Sequence, residues 1–294
     1  MTSPLVDALL GFAVLAVIPL AFALDRLTAR LRGMAFVAGL LATTGLALRR
    51  DVAVAVALGT PWLVTTLLSA LLAIRRWWRA QRTWAGLARA VAFADLAFGA
   101  AWLVFELADT RPFGVAPPFV ELAAVHMSYA GFTAAMLATV TARRVAASRP
   151  AQAPVMVTSV LAGPPVVAVG FRFVPPLQVA GAILLTLGLS MLSWLTIRIV
   201  VPAAGDRLAA MMLSASSVAV VVPMLLAVWW AIGRTAALPA PSVAMMARTH
   251  GLANAVGFAF LGVLGWRRLQ RVEAGEPTTG TEQASPAVQP TSDT

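Results

Sequence analysis

The chain holds two histidines, and both stand in apolar surroundings: His126 in VELAAVHMSYAGF and His250 in ARTHGLANAVGFAFLGVLGW. An imidazole can pass a proton near neutral pH or ligate a metal through a ring nitrogen. His250, Asn254 and Gly257 are spaced i, i+4, i+7, so on a helix they form one stripe that turns an imidazole and an amide to the same neighbour. Carboxylates stand within reach of such a site. Glu121 precedes His126 and Tyr129 comes after it, while Asp95 and Glu106 share another apolar stretch. The eleven residues between those two acids are almost a whole number of turns, which puts both on one face, about 16 Å apart along the axis. Arg248 can pair with Glu106 or Glu121 and lock two helices together. In a further apolar stretch Gly163, Pro164 and Pro165 remove two consecutive backbone donors, which predicts a helix break of the kind that lines substrate sites in transporters.

The elements that must position these residues are membrane spans. Sixty per cent of the residues are hydrophobic, 12% are charged, and the mean hydropathy is +0.85. A bilayer removes that much apolar surface from water directly, at about 20 residues per spanning helix. Cysteine is absent and all 22 basic residues are arginine, so disulfides, thiolate chemistry and a lysine Schiff base are excluded. The net charge of +10 invites a nucleic-acid partner, but the arginines fall in short clusters between apolar stretches, as the positive-inside rule produces. The partner expected is the lipid bilayer, with an unknown small molecule and no nucleic acid.

Nine spans are predicted: about Leu5 to Leu24, Gly33 to Leu48, Val52 to Ile74, Trp84 to Leu107, Pro117 to Arg143, Pro154 to Phe171, Pro176 to Val200, Asp206 to Ile232 and Ala247 to Trp266. A kink is expected at Pro223. Residues 1–271 thus form a transmembrane helical domain. Residues 272–294, rich in Pro, Thr, Ser, Gly and Glu, form a disordered tail. Loops after odd-numbered spans hold Arg26, Arg30, Arg32, Arg75, Arg76, Arg79, Arg82, Arg143, Arg144, Arg149, Arg198 and Arg207, and Arg267, Arg268 and Arg271 come after the ninth. Loops after even-numbered spans hold Arg49, Arg50, Arg111, Arg172 and Arg234. This bias places the N-terminus outside and the C-terminus in the cytoplasm.

In that topology the fifth and ninth spans enter from outside, and His126 and His250 each lie about 12 Å below the helix start. The expectation is a polar site in the outer half of the bundle, built from the fourth, fifth and ninth spans and the broken sixth. Asp95, Glu106, Glu121, His126, Tyr129, His250 and Asn254 are its substrate or proton-relay candidates, because ionisable groups inside a membrane cost several kcal/mol unless paired or wet. His126 and His250 are also the metal candidates, either with nearby carboxylates around a divalent ion or as axial ligands of a haem. No HExxH, GxSxG, Asp-rich repeat or phosphate-cradling glycine loop is present, which disfavours a zinc protease, a serine hydrolase and an ATPase.

ARTHGLANAVGFAFLGVLGW together with AVHMSYAGF resembles the YndJ-like family of bacterial polytopic membrane proteins, whose members carry a similar His-Gly, Asn-Ala, Gly-Phe segment in the last helix. The resemblance rests on His126, Tyr129, His250, Gly251, Asn254, Gly257 and Phe258. It implies a multi-pass protein of the bacterial cytoplasmic membrane, sometimes labelled a transporter. The expected fold is an all-α transmembrane bundle that moves a small solute or lipid-like molecule. The alternatives are a membrane-embedded metal- or haem-binding enzyme that uses the two histidines, and a non-catalytic scaffold.

Overall fold

A computed structural model describes residues 4–25, 31–80 and 82–276. Arg26, Arg30 and the tail from residue 277 onward lie outside the described residues. Nine helices make up the described fold: α1 (Pro4–Phe22), α2 (Arg32–Ala47), α3 (Val52–Arg79), α4 (Trp84–Leu107), α5 (Phe119–Val145), α6 (Gln152–Arg172), α7 (Pro175–Ala203), α8 (Arg207–Ala236) and α9 (residues 243–273). Seven of them are long and apolar enough to cross a bilayer, and the chain is a multi-pass membrane protein. That is two fewer than the nine spans expected. Helix α2 has only 16 residues, and α9 interrupts its apolar run with Arg248, His250 and Asn254.

Side chains that stop the backbone from leaving donors bare mark the helix starts. Asp51, Thr83, Asp206 and Ser242 cap α3, α4, α8 and α9 by accepting the N–H of the residue three positions on, and Pro175 opens α7. Helix α5 is the centre of the packing. Every residue from Gly131 to Ala142 is buried, and Phe132 meets Phe22 of α1 and Phe93 of α4 at ring-centre distances of 5.9 and 5.3 Å.

The expected break at Gly163, Pro164 and Pro165 is not there: α6 runs unbroken through both prolines. The carbonyls of Val160 and Leu161 lose their usual donors, yet the helix is held from outside by α7. A Cβ at position 163 would fall 2.5 Å from that of Leu185, one at 188 would fall 2.8 Å from the backbone nitrogen of Val160, and one at 170 would overlap the backbone of Gln178. Glycine at these positions is what lets the two helices touch backbone to backbone. In α8 the helix is interrupted at Val220, three residues before Pro223, because Pro223 has no N–H to offer the carbonyl of Ala219.

Ion pairs tie the ends of the bundle. At the arginine-rich end Asp25 accepts from Arg89 and Arg143, each at 3.2 Å, which joins α1, α4 and α5. Arg268 grips Asp206 with two hydrogen bonds of 2.7 and 3.0 Å, and Arg144 meets Glu273 at 2.9 Å. At the opposite end Arg49 makes a two-point contact with Asp7, at 2.9 and 3.1 Å.

Candidate functional site

His126 is the eighth residue of α5 and its side chain is exposed, although the helix around it is apolar. Opposite it on α9 stands His250, with its ring centre 6.4 Å away and its plane 24° from parallel. Residues 124 positions apart in the chain are thereby brought into one pair. Nδ1 of His126 is 2.7 Å from the carbonyl of Leu122, and Nδ1 of His250 is 2.7 Å from the carbonyl of Pro223 in α8. Asn254 completes the group, with its amide nitrogen 3.3 Å from both ring nitrogens of His250 and its Oδ1 buried without a donor.

Local backbone geometry puts these side chains there. Helix α5 widens to π-helical turns over Met127–Thr133, directly after His126, and α9 does so over Ala247–Gly251 and Ala253–Phe260, the turns that carry His250 and Asn254. Each such turn inserts one residue and rotates the helix beyond it, and π-turns are found often at functional sites. Thr133 shows the wider pitch, donating to the carbonyl of Ser128 five residues back. Gly257 lets α9 approach α8 just above the kink, where a Cβ would come within 2.8 Å of the Ala219 side chain.

Other predicted residues fall elsewhere. Asp95 does not join the histidines: it packs on Gly131 across the seam between α4 and α5, where a Cβ at 131 would lie 2.9 Å from its own. The face of α4 that carries it turns to α5, away from the imidazoles. Glu121 is fully buried and lies against the carboxyl group of Asp7. Glu106 belongs to the same neighbourhood, near Asp7 and Arg49. The acids of this end therefore gather around α1, apart from the imidazoles. Tyr129 is buried and donates to the carbonyl of Leu9 at 2.8 Å, pinning α1 to α5. Arg248 points outward and makes no ion pair among the described residues, so the expected lock with Glu106 or Glu121 is absent.

Two features escaped the sequence. One is the partnership of Asp25 with Arg89 and Arg143; an acid just past the first span and an arginine just inside the fourth was its only signal. The other is a cluster over the ends of α5, α6 and α8, where the Arg234 guanidinium lies 4.3 Å from the ring centre of Phe171, 5.3 Å from Trp230 and 5.9 Å from Phe119. Among the described residues no three histidines or acids converge as metal ligands, so what the site offers an ion is a pair of imidazoles.

No curated protein and no solved structure matches the chain. The sequence model of the YndJ-like protein family matches residues 8–258, which run from Ala8 of α1 to Phe258 of α9 and include both histidines, and the chain belongs to that family.

Proposed function

We propose that this protein is a transporter of the bacterial cytoplasmic membrane, with its N-terminus outside, which passes a small solute by way of the two histidines of α5 and α9. The arginine bias along the chain supports the orientation. The observation that carries the function is the meeting of His126 and His250: an exposed imidazole one third of the way down an apolar helix, set beside the chain's only other imidazole. Ionisable groups persist within spans where they serve a solute or proton path. The site offers acceptors, the free ring nitrogens and the Oδ1 of Asn254, so its solute is a cation or a donor of hydrogen bonds. Asp95, separate at mid-helix, is a second proton-carrying position on the same reading. On this reading residues 1–271 form the working unit.

The test is flux. Proteoliposomes loaded with a pH-sensitive dye and given a proton gradient, alone and with added monovalent cations, should change pH faster than vesicles that hold the His126→Ala, His250→Ala double variant. Equal rates for the two proteins and for empty vesicles under every cation would sink the transporter reading.

A further inference from the structure

The hydrogen bonds fix which ring nitrogens are free. A carbonyl only accepts, so Nδ1 carries the proton in both histidines, on Leu122 in one and Pro223 in the other. Each neutral ring then has its acceptor lone pair on Nε2. That of His126 meets no donor among the described residues, and that of His250 meets only the Asn254 amide nitrogen, 3.3 Å from Nε2 and equally far from Nδ1, a long contact that an ion can displace. One N–H held by a carbonyl with the other nitrogen open is how metal-ligating histidines are oriented. Two imidazoles bonded at about 2 Å to a shared ion, with a wide angle at the ion, stand about 6 Å apart centre to centre. The observed separation is 6.4 Å.

Charge selects the ion. Neither ring is paired with a carboxylate: Asp95 lies across the α4–α5 seam, and Glu121 and Glu106 lie with Asp7 and Arg49. A divalent ion in this neutral setting would bring two uncompensated charges into a low dielectric, where the desolvation cost grows with the square of the charge. Zinc also asks for four ligands, and calcium for six or more oxygens. A soft monovalent ion is satisfied by two neutral donors. We propose that His126 and His250 bind a single Cu(I)-type soft monovalent cation through their two Nε2 atoms. This deepens the transporter reading by naming its solute class, and depends on that reading for carriage but not for binding.

Binding is measured on the full chain in detergent under anaerobic conditions, with Ag(I) as the redox-inert probe and Cu(I) in competition with a chromogenic chelator. One ion per chain is expected, with X-ray absorption reporting nitrogen neighbours. The nitrogen signature matters, because eleven methionines offer competing thioethers. His126→Ala and His250→Ala should each weaken binding at least about 100-fold, Zn(II) should bind at least about 100-fold more weakly than Ag(I), and His250→Met should restore most of the loss by supplying a soft ligand. Should an alanine variant fail to elute as a folded protein, His126→Gln replaces it. Failure to retain either ion, sulfur-only coordination, retention unchanged in the double variant, or Zn(II) held as tightly would each overturn the assignment. Ag(I) bound in detergent but not accumulated by proteoliposomes would remove the transporter reading and leave the ion site standing. Cation flux without Ag(I) binding would do the reverse.

Discussion

Helix α5 carries a polar group near each of its ends, and the two are treated in opposite ways. At Arg143 the helix enters a cluster in which Asp25, 4% exposed, is met by two guanidiniums, one of them Arg89, 5% exposed. At His126, about 25 Å away along the helix, the ring gives its N–H to a carbonyl and its remaining lone pair meets no donor among the described residues, while that of His250 has only the Asn254 amide at 3.3 Å. Groups whose charges are matched this closely hold helices together. Groups left with an unanswered lone pair contribute little to folding, and what they retain is the capacity to take a ligand.

The largest test of this contrast is Asp25→Ala. It leaves Arg89 buried with its carboxylate gone, and should lower stability by about 3–5 kcal/mol, read by chemical denaturation in detergent. A loss below about 1 kcal/mol, the range of exposed pairs, would place the cluster with the surface ion pairs and erase the difference between the two ends. His126→Leu should sit well below Asp25→Ala on the same scale. Its structural contribution is one hydrogen bond to a carbonyl of its own helix, about 1 kcal/mol or less. If the two variants lose similar stability, the imidazole is a structural group.

The smallest effect concerns the half-buried tie between α8 and α9. The hydrogen bonds from Arg268 to Asp206, and next the N–H of Ala209, hold the Asp206 carboxyl below its ordinary value. A group depressed on folding stabilises the fold at any pH above its unfolded pKa, and that contribution fades as the pH falls through the lower folded value. Acid titration from neutral pH should therefore show a small loss confined to pH values below about 4. In Asp206→Asn that part of the profile should be flat; an unchanged profile would mean that other acids set it.

The sequence made the helices and the place of each polar residue along them legible, and left the side of the helix on which each one faces out of reach. His126 and His250 were expected at equal depth from the same side of the membrane, and they meet. Asp95 was expected with them on the same grounds, but rotation about α4 turns it to Gly131. Azimuth depends on which neighbour a helix packs against, and the π-turns in α5 and α9 shift it again without a clear sequence mark. The Gly163, Pro164 and Pro165 expectation failed for a related reason. Proline chemistry predicts lost hydrogen bonds correctly, but whether the helix then breaks is decided by the partner pressed against it, and α7 presses close.

Helices α6 and α7 touch at three levels through Gly163, Gly170 and Gly188, with no room for even a methyl group at any of them. Mechanically they are a strut without play. The helix beside His250 is built otherwise: at Val220 α8 has dropped a rung, one turn from the carbonyl that holds the His250 ring. The joint and the imidazole are on one lever, so any bend of α8 there would re-aim the ring that hangs from it.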